Sequence, residues 1–536
     1  MSVDPFMLEV LRNGLSSIAE EMSSVVMRAA RSPVLREAGD LSSAVTDADG
    51  NQVAQGQDMP MHMGVMSYTV REFLKRVPKE KLREGDCWML NLPHVGGNHL
   101  PDVKLLRPIF SGGRVRAFAV SLAHWADIGG GAPGSYFCQA YDAWQEGLRI
   151  PPLRVFTAEG PDEEKLAIVL ANVRAPETCR GDIFAQMAAT RAADQRFQQM
   201  FAKWGADFAE EVFAALHDHA EAQMREAIRG LPNGVYEGED SMDDDGHGGP
   251  PAIIRVKITV RDETVTFDYS GSDDHVPGPI NTTKYITGAS AFYVMKAVCG
   301  PDIQPSAGCY RPIEVITRPG SICEAGPDRP VVGGNHETCQ RIVDAAMLAL
   351  EAAVPERLTA GGPTTAGLAI FGATREDGRW VTLYEVHTGG EGGRIDRDGC
   401  SVVRVHMGNI MNTSNEIIEC EYPIDIDFHR VRRGSGGAGH HKGGDGQERG
   451  YRMRVDDVML TTMFERRDVP PYGLQGGEPG ATFEITLQPR GEDRETALPG
   501  KTNLRIHAGD LVTVRTCGGG GYGVPDERER QNTAGK

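Results

Sequence analysis

Glycine gathered into a few dense runs is what most restricts how this chain can fold. Sixty-five of the 536 residues are glycine, roughly 12% against a usual ~7%. The runs at 389–393, 434–449 and 517–523 have no period, so they exclude a collagen repeat and ask for many special turns. The rest is ordinary globular material, 40% hydrophobic and 24% charged, which excludes wholesale disorder. The length carries about three to five domains at ~100–200 residues each. A formal charge of −19 repels phosphate backbones, so nucleic acid is excluded as the main partner. No run of about 18 apolar residues offers a membrane span. The opening MSVDPFMLEV lacks the basic stretch of a secretory signal. Ten scattered cysteines with no CxxC pair read as reduced thiols, and the chain as a cytoplasmic protein.

The periodicities give an α+β chain: a long N-terminal helix, a central helical block and a β-rich C-terminal half. Asp4-Pro5 has the form of a helix cap followed by proline at the first helical position. Leu8, Leu11, Leu15, Ile18, Met22, Val25 and Ala29 then step by three and four, predicting about seven turns that end at Ser32-Pro33. Short β-rich pieces follow from Asp40 to Arg107, with one helix over 66–77 and a buried strand over 117–123. A helical block over 182–229 breaks at Gly205. Residues 254–269 alternate as a β-hairpin, and a helix is expected over 337–354. The acidic, glycine-rich run at 240–251 is the candidate boundary. It divides residues 1–240, carrying the candidate site, from the β-rich residues 241–536.

Two stretches carry the chemistry, NLPHVGGNHLPDVKLL (91–106) and SLAHWADIGGGAPGSY (121–136). In each, a histidine is followed three residues later by an aspartate: His99 and Asp102, then His124 and Asp127. Glycine and proline around them place these residues at loop or strand ends. Imidazole nitrogen with carboxylate oxygen suits zinc, manganese or iron(II). Asp40, where the β-rich region begins, is the candidate remote carboxylate. The bland alternative is an aspartate capping its own turn.

The same stretches, with REAGDLSSAVTDADGN (36–51), PMHMGVM (60–66), DYSGSDDHVPGPINTT (268–283), GGNHETCQRI (333–342), GGEGGR (389–394) and GGGGYGVP (518–525), resemble the hydantoinase B/oxoprolinase family over nearly the whole chain. The resemblance implies a divalent metal held by Asp40, His99, Asp102 and His124, with Asp127 orienting His124. It implies a partner, an A-type chain of actin-like ATPase fold that binds ATP. The function implied is ATP-dependent opening of a cyclic amide (a hydantoin, 5-oxoproline or a lactam) in a hetero-oligomer. The runner-up is a subunit of an ATP- and bicarbonate-dependent ketone carboxylase, and a third reading is a non-catalytic scaffold. His62 and Asp127 are the candidates for moving a proton. The chain departs from the family's usual NDPYxGGTH at Leu92 and His94, positions that bear on the substrate.

Other features read more plainly. No Walker-type P-loop occurs. The runs 389–393 and 518–521 are expected to be tight turns at sheet ends, with a phosphate cradle as the lesser reading. His217 and His219 are expected to be solvated on a helix, His440-His441 to lie in a surface loop near the partner, and Asp243–Asp245 to form a solvated turn. His336-Glu337, with Asn335 as a candidate cap, is a further candidate for lining the site.

Overall fold

A computed structural model describes residues 3–525. The N-terminal helix forms as its sequence asks, over Pro5–Ala29, with the Asp4 carboxylate accepting from the amides of Phe6 and Met7 at 2.8 and 3.3 Å. Leu11, Leu15, Ile18, Met22 and Val26 form its buried stripe. That stripe rests on the Pro176–Trp204 helix and on the first sheet. Gly205 separates Pro176–Trp204 from the following helix, Ala206–Arg229.

The first sheet has seven strands in the order β2-β1-β5-β4-β3-β6-β7. They are β1 (Leu41–Asp47), β2 (Gln52–Gln55), β3 (Cys87–Leu90), β4 (Asp102–Ser111), β5 (Arg114–His124), β6 (Leu153–Thr157) and β7 (Gly160–Pro161). Both faces of β5 are covered, which is why its apolar run is nearly continuous. Phe118, Val120 and Leu122 pack with Met66, Val70 and Phe73 of the Val65–Arg76 helix. Ala117, Ala119 and Ala123 face the main core beneath the two long helices.

A second sheet pairs β8 (Gly234–Ser241), β9 (Ile253–Arg261), β10 (Thr264–Asp268) and β11 (Ile313–Ile316), with the Cys339–Leu350 helix against it. A third sheet, containing Leu368–Thr374, Trp380–Val386, Val458–Met463 and Lys501–Ile506, joins a fourth built around Gly446–Met453 and Leu511–Arg515. Phe371, Leu383 and Leu460 meet Tyr451, Ile485 and Val512 in one apolar layer between them. The main core draws on residues from Leu11 to Tyr522, on both sides of 240–251.

The glycine runs are neither tight turns nor phosphate cradles. Residues 517–521 thread the centre of a bundle of extended segments, bonded to them in several directions, not in one sheet. Gly390 donates to Cys517, Gly520 to Gly361, Gly393 to Gly520, Gly519 to Gly444, Gly437 to Gly519 and Gly521 to Glu478, at 2.7–3.0 Å. A Cβ on Gly390, Gly443, Gly519 or Gly520 would overlap the carbonyl oxygen of a neighbouring segment. Only glycine lets backbones approach so closely, the steric rule that also governs the collagen axis. The amides of 518–521 are all spent on neighbouring carbonyls, so they hold none in reserve for a phosphate.

Two further expectations are corrected. Asp243–Asp245 is no solvated turn: Asp243 is buried and accepts from the amides of Arg467, Asp468 and Val469, while Asp245 accepts from those of His247 and Gly249. His217 is buried with Nε2 3.8 Å from Asp47, since its helix face packs on the first sheet; His219 alone is exposed.

Candidate metal centre

Three strand ends meet at one edge of the first sheet. Asp40 immediately precedes β1, Asp102 opens β4 and His124 closes β5, and these strands are neighbours in the order β1-β5-β4. Asp102 and His124 are direct cross-strand partners, and the amide of His124 donates to the carbonyl of Asp40 at 3.1 Å. The β4–β5 hairpin turns at Gly112 and Gly113, both with positive φ, as such a two-residue loop requires. That turn places Ser111 opposite Arg114, a register that would set Asp102 against Ala123. A one-residue irregularity between Ile109 and Phe110 shifts the pairing and brings His124 opposite Asp102. A slip of one residue exchanges sheet faces, so the bulge decides whether the two side chains meet.

His99, one turn before β4, completes the set. Its Nε2 stands 3.0 Å from Asp102 Oδ1 and 3.2 Å from His124 Nδ1, and His124 Nδ1 is 3.2 Å from Asp102 Oδ1. His99, Asp102 and His124 are each 1% exposed. His99 Nδ1 lies 3.0 Å from the Val332 carbonyl, which can only accept, so that nitrogen carries the proton and Nε2 presents a lone pair. Lone pair and carboxylate oxygen then face each other in a dry site, an arrangement that calls for a cation between them. Ligand bonds of ~2.0–2.1 Å in a tetrahedral set imply ligand atoms about 3.3 Å apart, close to the observed triangle. The residues therefore fit a divalent metal.

Around the triangle, Asp102 Oδ2 is 3.4 Å from His62 Nε2 and accepts from Asn335 Nδ2 at 3.3 Å. His62 Nδ1 is 2.8 Å from the Ser42 hydroxyl. Such outer contacts orient ligands and tune them. Asp40 Oδ2 lies 3.9 Å from His124 Nδ1, beside the triangle. Burial raises its carboxyl to about 6, with His124 opposing and Asp102 adding to the rise. Burial also acts on Asp102, but His99 and hydrogen bonds from His124 and His62 outweigh it and hold that carboxyl well below its usual value. His124 Nε2 has no hydrogen-bond partner, and the ring stacks at a tilt 4.4 Å from Tyr384.

Asp127 does not orient His124. Its carboxylate accepts from the amides of Gly129, Gly134 and Arg174 and from Arg174 Nη1 at 2.9–3.2 Å. It pins the glycine turn in the way its own loop demanded, and no capacity is left for an imidazole. His336-Glu337 does reach the site, since the His336 ring lies 6.1 Å from that of His99 and 5.2 Å from Tyr136. His336 Nδ1 is 3.1 Å from Glu337 Oε1, and its Nε2 is buried without a partner. Burial raises the Glu337 carboxyl to about 7 and, with His99 and His124, holds His336 well below its usual value. Asn335 caps no helix; it sits within a wide turn, Gly334–Thr338, and turns its amide to Asp102. Tyr136 and Tyr384, whose hydroxyls are 3.1 Å apart, were not singled out by spacing. Tyr136 closes the ADIGGGAPGSY stretch, and that position was the one available signal.

A family model described as hydantoinase B/oxoprolinase matches residues 4–525. An uncharacterized protein of Methanocaldococcus jannaschii is 33% identical, over 98% of this chain and 92% of its own length. The 5-oxoprolinase 1 of Arabidopsis thaliana is 31% identical over 97% of this chain. The match takes in 42% of that plant protein, so the chain spans about two fifths of its length. The crystal structure of ATP-dependent caprolactamase from Pseudomonas jessenii superposes with a TM-score of 0.93 at 26% identity, covering all of this chain and 94% of that one. Among the described residues, no helix is long and apolar enough to cross a membrane.

Proposed function

The chain belongs to the hydantoinase B/oxoprolinase family, and from that premise we propose that it is the metal-bearing subunit of an ATP-dependent cyclic-amide hydrolase. Its substrate class is a hydantoin, 5-oxoproline or a lactam, and its partner an A-type chain of actin-like ATPase fold. The observation that carries this reading is the buried triangle of His99 Nε2, Asp102 Oδ1 and His124 Nδ1. The caprolactamase beta subunit, 29% identical over 98% of this chain, and the plant oxoprolinase supply the substrate class. Spanning only part of the oxoprolinase is what one subunit of a divided enzyme would do. With no P-loop in the sequence and the amides of 518–521 spent within the bundle, ATP is assigned to the partner.

A divalent ion of the zinc, manganese or iron type, held by His99, Asp102 and His124 with Asp40 beside them, supplies Lewis acidity toward a carbonyl and acidifies a water. The chain's residues do the rest. The Val332 carbonyl keeps the proton of His99 on Nδ1 and so keeps Nε2 turned inward. His62 and Asn335 hold the second oxygen of Asp102. His336, neutral and backed by Glu337, offers Nε2 for taking up or giving back the proton that amide opening requires. Tyr136 and Tyr384 place two hydroxyls beside these rings, able to orient a carbonyl, and the surrounding burial excludes water.

Elemental analysis of the purified chain and of His99→Ala tests the reading. About one zinc, manganese or iron per chain is expected, absent from a variant that keeps its circular dichroism spectrum. Wild type that carries no metal and takes up no added divalent ion overturns the reading and leaves the scaffold reading in its place.

A further inference from the structure

Apart from the metal centre, a cavity of about 380 Å³ opens between the Lys284–Cys299 helix and the loop around 391–406. Its size lies within the ~300–1,000 Å³ usual for small-molecule sites. Arg357, Arg394 and Arg404 line it, with Glu391 as the one acid. In a chain of net charge −19, three converging guanidiniums depart from the general surface. Glu391 is already engaged, accepting from Arg397 at 3.3 Å and from the Cys400 amide at 3.1 Å. Arg357 and Arg394 have only loose acidic neighbours, Glu356 at 3.6 Å and Asp396 at 3.7 Å.

Three polar atoms of this lining are buried without a hydrogen-bond partner: Arg394 Nε, Arg404 Nε and His406 Nε2. Unmet buried donors are rare and need an explanation. The loop that carries Arg404 is also strained. Val402 and His406 have φ of 57° and 51°, a region that a β-branched residue avoids and that clusters at functional sites. Val298, Met347, Leu358 and Val405 give the cavity an apolar wall.

We propose that this cavity binds a small organic anion, a phosphate or carboxylate carried on a short apolar body. The guanidiniums take the oxyanion, a geometry in which planar donors excel, and the apolar wall takes the body. Arg404 also connects the cavity to the metal centre. Its Nη1 donates to the Ala366 carbonyl at 3.3 Å, and the Ala366 amide donates to Glu337 at 3.0 Å, the residue that backs His336. The proposal concerns binding alone and stands whether or not the metal centre opens cyclic amides.

Cys400 lines the cavity and is exposed, and Cys420, also exposed, does not line it. Alkylation of the full-length chain by iodoacetamide, read at each cysteine by peptide mass spectrometry, therefore reports occupancy. Inorganic phosphate or butyrate at roughly ten times its dissociation constant is expected to slow Cys400 about tenfold and leave Cys420 unchanged. Protection by phosphate identifies the phosphate class, and protection by butyrate alone identifies the carboxylate class. In Arg394→Gln and Arg404→Gln the protection is lost; the first, on a rim one-third exposed, serves should the second fail to fold. The proposal is overturned if neither anion protects, if chloride at equal ionic strength protects as well, or if protection survives in Arg394→Gln.

Discussion

The metal centre and the glycine bundle are built from opposite materials. At the metal centre the backbone is ordinary antiparallel sheet, and everything depends on which side chains the register brings together: Asp102 opposite His124, with His99 one turn away. In the bundle side chains are absent from the contacts that matter, and carbonyls stand where a Cβ would be. The first region is intolerant of changed chemistry and indifferent to small changes of bulk nearby. The second is intolerant of any bulk and blind to chemistry. A charged network fastens the two kinds of structure together. Arg466 pairs with Asp240 at 2.9 Å and Asp344 at 2.6 Å, and Asp240 also meets Arg341 at 3.1 Å. The hydroxyl of Tyr472, whose carbonyl accepts from Gly361, reaches Asp344 at 3.4 Å.

The contrast breaks most visibly at Gly519→Val. The added side chain must part segments 517–521 and 389–393, and at least about 3 kcal/mol of stability is expected to go. Denaturant unfolding checks it; a loss under about 1 kcal/mol would mean the bundle has slack. Asp240→Asn comes next, because it strands Arg341 and Arg466 in the interior, with about 3–5 kcal/mol expected at pH 7. Burial opposes ionisation of Asp240, but Arg466 and Arg341 outweigh it and hold its carboxyl below 3.8. Its contribution is therefore complete above pH 3.8 and fades as pH falls through the lower folded value. Unfolding curves of wild type and variant should converge on acidification from pH 7 toward pH 3. A gap that widens instead would assign the stability to another group. Asp4→Ala touches neither region and is expected to cost about 1 kcal/mol through the lost cap, with metal content unchanged in elemental analysis.

The local structure was legible where one period dominates. The 25-residue N-terminal helix, the Gly205 break and the hairpin over 254–269 follow from spacing alone. The ligands were legible by residue type, and the resemblance joined Asp40 to them. What spacing did not hold was the register. The bulge between Ile109 and Phe110 leaves no compositional trace, yet it decides which residue faces Asp102. Asp127 misled because HxxD occurs twice in sequence while only the first aspartate starts a strand at the site. The glycine runs misled for a different reason. Each, taken alone, is a turn signal, and their meaning lies in partners 40 to 160 positions away.

That separation bears on how the chain is made. The segment at the bundle's centre, 517–521, is bonded to neighbours at 361, 393, 437, 444 and 478, all of which leave the ribosome first. At ~5–20 residues per second, the stretch around Gly361 waits roughly 10–30 s for the strand that fills the middle. Until then the surrounding segments enclose an axis with nothing to bond. Closure of the bundle is therefore a late step of biosynthesis, and ribosomes stalled short of residue 517 should yield chains whose first sheet is formed and whose last third is open to protease.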